Sequence, residues 1–329
     1  MVLDSLADRL GDLHLSQPKE LLFCPKGDKT RAKQSFPNNP RFLYRITTPK
    51  SRGQTTRSWT KSMDATLGRP SMNTDIFALD DNCAGEMINH HLRWERSKTD
   101  NLVSWASSPL FLLVYIFHLH ANSGNRSSFD DISFCIIDTT QFEAGTFIRD
   151  MVLMDLYSPY STRLQEMKEL RLGEYYFGEY LSQGALNIED KCQIVSASAM
   201  IKNGLLDLQP ELKCYARWPE CPRPPWAKPV VRLRKTLDDE KTCIDIENPI
   251  RAITNIVRLF EPGWKLPIAA SLASCSSTCE SSLQSFLNID FTDDERRNFH
   301  TSKTKVFAYN MPEVRHFNTI LVSISKRNI

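Results

Sequence analysis

The sequence has no long apolar run and no large excess of charge of either sign. Its longest apolar stretch, PLFLLVYIF at residues 109–117, is too short to cross a bilayer as a helix. Asp4 and Asp8 interrupt the start of the chain, where a secretory signal needs a continuous apolar core. The formal net charge of +2 gives no general attraction to nucleic acid or to an anionic membrane. We therefore expect a cytoplasmic or nuclear protein with no membrane partner.

Ligand spacings typical of metal sites are also missing. The nine cysteines are scattered, and the closest pairs lack the C-x2-C spacing of a zinc site. His118 and His120 are two positions apart, so they would not face the same way on a helix. We expect reduced thiols and no metal. The chain also lacks G-x-S-x-G, P-loop and G-x-G-x-x-G motifs, which are the common signatures of hydrolases and nucleotide-binding enzymes.

Changes in composition along the sequence divide the chain into four parts. Residues 1–40 combine a leucine-spaced segment with a basic stretch rich in helix breakers, which predicts a flexible N-terminal arm. Residues 41–205 predict one α+β domain. Residues 206–244 include WPECPRPPWAKP, where five prolines in twelve residues predict a Pro-rich basic connector, either extended or packed as a rigid loop. Helically spaced apolar residues in 245–329 predict a helical module.

Hydrophobic periodicity and breaker residues predict the individual elements. Strands are predicted at 41–49, 101–105, 132–138, 146–156, 175–186 and 192–197. Helices are predicted at 84–94, 109–121 and 161–172, and further helical stripes are Leu3/Leu6/Leu10/Leu13, Ile250/Ile253/Val257/Phe260 and Val314/Phe317/Leu321/Ile324.

Four segments carry side chains suited to chemistry. Arg45 lies on the first predicted strand of the α+β domain, and its guanidinium suits a phosphate. His91 lies on a helix that precedes VSWASS, where Ser104 and Ser107 mark the turn from a strand into a helix. Glu179 lies in the aromatic-rich strand YYFGEYLSQGAL, where a carboxylate costs free energy unless something compensates it.

Each of these residues also has a structural explanation. Arg45 can form a salt bridge at the sheet edge, Ser107 can cap the following helix, and His91 can simply lie on a helix face. Glu179 can pair with a basic neighbour such as Arg45. Asp138, which ends a buried strand, is expected to cap the turn that follows.

Taken in order along the chain, these segments resemble the mono-ADP-ribosyltransferase superfamily, and within it the A chains of heat-labile enterotoxin-type toxins. YR at 44–45 is similar to the family's first-strand arginine, VSWASS at 103–108 to its serine strand, and GEYLSQGAL at 178–186 to its glutamate strand and turn. The stretches RFLYR, NLVSW and GEYLSQGALNIE also resemble a group of uncharacterised proteins from filamentous fungi. The superfamily resemblance covers about residues 41–200 and implies a split β-sheet core with flanking helices.

The resemblance implies that NAD is the substrate. Glu179 would stabilise the oxocarbenium-like centre that forms when the nicotinamide–ribose bond breaks. Ser104 would orient Glu179 or the nicotinamide pocket, and Arg45 would hold the diphosphate or the ribose edge. The implied NAD-binding set also includes His91, Ser107 and, for stacking on nicotinamide, Tyr176 or Trp105.

The sequence departs from the family's Glu-x-Glu motif, because Phe177 stands where the second glutamate would be. Since that glutamate helps to activate an acceptor side chain, we expect NAD hydrolysis, another protein acceptor or no activity in place of transfer to arginine. The alternative from a different class is a non-catalytic binding or scaffold protein with an unknown partner, built on the same fold. Nucleic-acid binding through the connector is a third hypothesis, and the acidic residues in and after that segment argue against it.

Overall fold

The computed structural model describes residues 19–237, 247–276, 284–286, 289, 291–292, 295, 299, 305 and 310–327. Across this part of the chain, a nine-stranded sheet forms the centre of the molecule. Its strands are β1 Glu20–Leu21, β2 Phe42–Thr47, β3 Gln54–Thr55, β4 Trp59–Lys61, β5 Leu102–Ala106, β6 Ser133–Asp138, β7 Ile148–Arg149, β8 Glu179–Asn187 and β9 Cys192–Ser196.

The sheet is antiparallel at every pairing between these strands. Their order is β3-β4-β8-β5-β2-β6-β9, and β1 and β7 also pair with β8. The helices that surround the sheet are α1 Met63–Thr66, α2 Asp81–Leu92, α3 Pro109–Ala121, α4 Asp150–Tyr157, α5 Thr162–Leu172, α6 Ala197–Lys202, α7 Pro210–Tyr215, α8 Ala227–Leu237, α9 Glu247–Ile256, α10 Pro262–Ala273 and α11 Pro312–Arg327. The predicted α+β class is therefore confirmed.

The sheet is weakest between β2 and β5. β2 pairs with β6 over six residues and β5 pairs with β8 over five, whereas β2 and β5 are joined only at Tyr44 and Ala106. The two halves of the sheet diverge beyond that pair. Arg45 follows the junction on β2, and Ser104 precedes it on β5.

The prediction of a strand over residues 146–156 is wrong. Only Ile148–Arg149 pair with β8, and the chain then continues as α4. Methionine and leucine favour helix, and Asp150 stands in the first turn, where a negative charge is favourable. A short apolar run does not by itself separate a buried strand from a buried helix.

The segment that follows residue 18 is packed on the domain, in contrast to the predicted loose arm. Gly27–Asn38 forms a 3-10 helix, and the Phe23 amide donates to the Gly145 carbonyl at 2.8 Å. Phe23 and Ala32 are buried in a cluster with α2 and α4, so two apolar side chains hold this polar stretch in place. The predicted leucine-spaced helix at residues 3–13 lies outside the described residues.

The C-terminal helices share a core with the sheet. One apolar cluster joins Tyr44 on β2 to Ile253 on α9, Leu266 on α10 and Ile320 on α11. The predicted stripe beginning at Val314 lies on α11, as expected. Of the stripe beginning at Ile250, only Ile250 and Ile253 lie on α9, because Val257 begins a 3-10 turn and Phe260 follows that turn with extended backbone. Across the described chain, no helix is both long enough and apolar enough to span a bilayer.

Candidate functional site

A pocket of about 260 Å³ opens where β2 and β5 diverge. Its polar side chains come from β2, β5, β8, α2 and α5, and α3 and Trp226 of the Pro-rich connector supply aromatic lining. The polar groups that line it include Arg45, His91, Ser104, Arg171 and Glu179. Four of the six site residues predicted from the sequence therefore meet in one cavity.

Ser104 and Glu179 meet because of the register between β5 and β8. Ala106 is paired with Glu179 and Ser104 with Leu181, so Ser104 and Glu179 are diagonal neighbours on the same face of the sheet. The Ser104 hydroxyl donates to Glu179 Oε1 at 2.6 Å. The serine thus orients the carboxylate at the pocket wall.

His91 connects Ser104 to a second carboxylate. Its Nδ1 lies 2.8 Å and 3.0 Å from the two Asp100 carboxylate oxygens, and its Nε2 lies 2.8 Å from Ser104 Oγ. Asp100 also accepts from the Leu102 amide at 3.1 Å. A continuous chain of hydrogen bonds therefore runs from Asp100 through His91 and Ser104 to Glu179.

The protonation states of His91 and Asp100 set the direction in which the hydrogen bonds of this chain are donated. Burial lowers the pKa of His91, but the adjacent Asp100 carboxylate outweighs it and holds that pKa above the ordinary value. Burial likewise raises the pKa of Asp100, but the charge and hydrogen bond of His91 outweigh it and bring that pKa below its usual range. A protonated His91 donates from both ring nitrogens, which leaves the Ser104 proton for Glu179.

The second oxygen of Glu179 is held by a buried arginine. Arg171 donates to Glu179 Oε2 at 2.7 Å and lies 3.6 Å from Asp150 Oδ2. Burial lowers the pKa of Arg171, but the two carboxylates outweigh it and raise that pKa, so the guanidinium stays charged. The sequence-based candidate for this ion pair, Arg45, is incorrect.

Asp150 lies at the far end of this ion-pair cluster. Burial and the charge of Glu179 raise the pKa of Asp150 to about 7, although Arg171 opposes that shift. Within the described structure, Asp150 Oδ2 and the Arg171 NH1 group that faces it make no hydrogen bond. Asp150 is thus a buried carboxyl group whose pKa lies near neutral pH.

Arg45 crosses the opening between β2 and β5. Its NH1 group donates to the Ser104 carbonyl at 2.7 Å, and its Nε donates to Thr55 Oγ1 at 3.2 Å. Burial lowers the pKa of Arg45, but a guanidinium remains protonated in proteins. The residue supports the serine strand and also presents a cation to the pocket.

Two of the predicted NAD-binding residues lie elsewhere. The Ser107 amide and hydroxyl both donate to the Gly178 carbonyl, at 2.8 Å and 3.2 Å, so Ser107 holds the strand that carries Glu179. Tyr176 is buried in the cluster that contains α2 and α4. The Trp105 side chain lies on the opposite face from Ser104, where its Nε1 donates to Ser182 at 3.0 Å.

The sequence did not reveal the partners of the predicted residues. Asp100 and Arg171 sit in ordinary polar stretches, and nothing in their spacing relates them to His91 or Glu179. The aromatic side of the pocket was not predicted from the sequence either, although Phe177 was singled out as the residue in place of the second glutamate. It is formed by Trp94, Phe111, Tyr115, Phe177 and Trp226.

The Asp100–His91–Ser104 arrangement has the connectivity of an activated serine nucleophile. Activation requires a neutral histidine that accepts the serine proton. Here the raised pKa of His91 favours the imidazolium, and the shortest hydrogen bond of Ser104 goes to Glu179. The geometry is therefore suited to fixing Glu179 in place and not to making Ser104 attack.

Comparison with known proteins gives one match. Residues 38–189 match the model of a family described as a domain of unknown function, DUF7587. The matched range includes Arg45, His91, Ser104 and Glu179 and ends before Trp226. No curated protein and no solved structure matches the chain. The match supports the predicted likeness to an uncharacterised family.

Proposed function

We propose that the pocket binds NAD and that Glu179 promotes cleavage of its nicotinamide–ribose bond. The observation that supports this most is the position of Glu179: it lies at a pocket wall with one oxygen held by Ser104 and the other by Arg171. A carboxylate fixed in this way is suited to stabilising a positive charge that develops beside it.

The shape of the pocket agrees with such a substrate. A volume of about 260 Å³ suits the nicotinamide riboside half of the dinucleotide better than the whole molecule. Lys50 and Arg52 are exposed residues that also line the pocket, and cations at its edge suit a diphosphate that extends outwards.

The reaction would proceed by loss of nicotinamide. The C–N bond breaks and its electron pair leaves with the nicotinamide ring, which generates an oxocarbenium-like ribose. Glu179 stabilises that cation, and Arg171 keeps the glutamate oriented through its contact with Oε2. Water or a protein nucleophile then bonds to the ribose carbon and releases its proton to solvent, giving NAD hydrolysis or ADP-ribosyl transfer.

The alternative is a non-catalytic binding protein on the same fold. One observation favours it: both oxygens of Glu179 already have partners within the chain, so the carboxylate is explained without a ligand. The two hypotheses differ in whether the protein acts on NAD.

The experiment is to measure nicotinamide release from NAD by the purified protein and by Glu179→Gln. We expect release by the wild type and a loss of at least about a hundredfold in the variant, because a carboxamide cannot stabilise the cation.

Glu174→Gln, at an exposed position shortly before the same strand, should retain full activity. Circular dichroism and thermal unfolding would confirm that both variants are folded. No release together with no NAD binding by calorimetry would reject the proposal in favour of the binding protein.

A further inference from the structure

Trp226, in the Pro-rich connector immediately before α8, is the central ring of the aromatic wall. Its ring centroid lies 4.9 Å from that of Trp94, 5.3 Å from Phe111 and 5.1 Å from Phe177. Phe111 in turn lies 5.2 Å from Phe177. These separations are those of directly interacting rings. The wall and the polar residues described above line the same pocket, and they meet where the Arg171 guanidinium lies 5.8 Å from the centroid of the Phe177 ring.

The connector is fixed against α3 by its backbone. The Cys221 amide donates to the Ala121 carbonyl and the Ser123 amide donates to the Cys221 carbonyl, both at 3.0 Å. His118 Nδ1 lies 2.9 Å from the Pro224 carbonyl, and burial lowers the pKa of His118, which favours the neutral ring that donates there. Trp226 is therefore placed by a rigid, proline-rich segment that is itself anchored.

Four of the five rings of the wall are more exposed than the apolar core, whereas Phe177 is as buried as the core rings. Core rings such as Phe117 and Phe134 are almost fully buried, whereas Trp226, Phe111 and Tyr115 are half-buried and Trp94 is 39% exposed. Exposed aromatic area that lines a cavity is available for a flat ligand to cover.

Trp94 is also held in an unusual backbone conformation. Its φ is +55°, a left-handed value that a tryptophan seldom adopts. Arg52 donates to the Trp94 carbonyl at 3.2 Å and to the Glu95 carbonyl, which holds the turn from outside. Strained backbone of this kind is found preferentially at ligand-binding sites.

We propose that Trp226 determines ligand specificity by stacking on a planar heteroaromatic ring. The identification of that ring as nicotinamide rests on the function proposed above, but the stacking wall rests only on the geometry. It follows that the pocket is completed by a residue outside the range 38–189 that matches the domain of unknown function.

The test uses the full chain and the matched variants Trp226→Leu and Trp218→Leu. Trp218 belongs to the same connector but lies against Tyr215, with 4.6 Å between the ring centroids, and does not line the pocket. The probes are nicotinamide, whose affinity is measured by NMR titration, and NAD, whose KM and kcat are measured by nicotinamide release.

We expect Trp226→Leu to weaken nicotinamide binding by about tenfold or more, since stacking on one aromatic side chain contributes that much. The KM for NAD should rise by a similar factor with little change in kcat, because the stacked ring is held in the ground state as well as the transition state. Trp218→Leu should behave like the wild type, and Trp226→Phe should recover part of the affinity.

Equal nicotinamide affinity in the Trp226→Leu and Trp218→Leu variants would overturn the inference, and so would the absence of nicotinamide binding to the wild type. Nicotinamide binding that depends on Trp226, in a protein that neither binds nor cleaves NAD, would support the stacking wall and reject the proposed function. The two failures are therefore distinguishable.

Discussion

At the residue scale, Glu179 is controlled by two neighbours with different effects. Arg171 places an opposite charge against one oxygen of the buried carboxylate, and Ser104 supplies a directional hydrogen bond that sets its orientation. His91 and Asp100 act one step further away, because they decide where the Ser104 proton points. A carboxylate is therefore accommodated in this aromatic-rich strand because residues of β5 and α5 bind it directly and a residue of α2 binds its serine partner.

Asp150 makes the stability of this cluster depend on pH. Its pKa rises from an ordinary 3.8 to about 7 in the folded protein, so the folded state binds a proton more tightly than the unfolded state. The stabilisation from that proton is complete below about pH 4 and is lost as the pH rises through about 7. Above that range the ionised Asp150 is buried near Glu179 and is repelled by it.

We therefore predict that Asp150→Asn flattens the dependence of stability on pH between about 4 and 7. At pH 8 the variant should be more stable than the wild type by roughly 1 kcal/mol or more, because a buried charge has been removed. Urea unfolding at a series of pH values measures both effects. Asp155→Asn, on the exposed side of the same helix, is the control and should leave the curve unchanged. If the stability curve of Asp150→Asn instead ran parallel to that of the wild type over this pH range, Asp150 would be ionised throughout it.

At the scale of elements, the sequence predicts the strands better than the contacts between them. β2, β5, β6 and β9 were found because each is a short β-branched or aromatic run ended by a breaker. The partners Asp100 and Arg171 were missed because an ion pair between distant elements leaves no periodic pattern. Arg171 is the second-last residue of a helix whose other charged residues are exposed or half-buried, so its burial is a tertiary effect.

The start of β8 was also predicted four residues too early, because the role of Gly178 was not recognised. Gly178 has a φ of +67°, so the chain turns there and the regular strand begins only at Glu179. A Cβ at this position would overlap Ser107 Oγ and would stand 3.0 Å from Met311 Cε. The glycine thus allows the close approach through which Ser107 holds the Gly178 carbonyl.

Gly178→Ala is predicted to destabilise the protein by about 2–3 kcal/mol, from the left-handed backbone and from the overlap together. Nicotinamide release should fall as well, since Glu179 is the next residue. Gly68→Ala is the matched control: its φ is +63°, but a Cβ there meets nothing within 4 Å. It should show only the backbone contribution, of about 1 kcal/mol. Equal losses of stability in the two variants would contradict the steric part of the argument.

At the scale of the whole molecule, the catalytic candidates and the C-terminal helices form one structure. Trp226 brings the connector to the pocket, and the core cluster runs from β2 to α11 without interruption. The sequence predicted an α+β domain and a separate helical module, because the composition of the Pro-rich segment is typical of a domain boundary. Its backbone hydrogen bonds at Cys221 pack the part between α7 and α8 against the end of α3, whereas α7 and α8, within the same predicted connector, are helical.

A buried ion pair joins these parts at their centre. Arg234 on α8 donates to Glu313 on α11 at 2.8 Å and to the Tyr176 carbonyl at 2.6 Å. Glu313 also accepts from Ser108, the residue that caps α3, at 2.5 Å. The Arg234 guanidinium lies 5.2 Å from the centroid of the Phe177 ring, which places it directly behind the aromatic wall. Both partners are almost fully buried.

Arg234→Met should therefore cost about 3–5 kcal/mol in the free energy of unfolding, because it removes one partner of a buried ion pair and leaves Glu313 buried without it. Adding Glu313→Leu should recover part of that loss, with a coupling energy of at least about 1 kcal/mol in a double-mutant cycle. Lys235→Met, on the exposed side of α8, should change little.

Urea unfolding followed by circular dichroism and by tryptophan fluorescence should give one coincident transition for every variant, since a single core contains the sheet and the helices. Two separate transitions, of which only the one with the smaller amplitude responds to Arg234→Met, would instead show that the C-terminal helices unfold independently of the pocket.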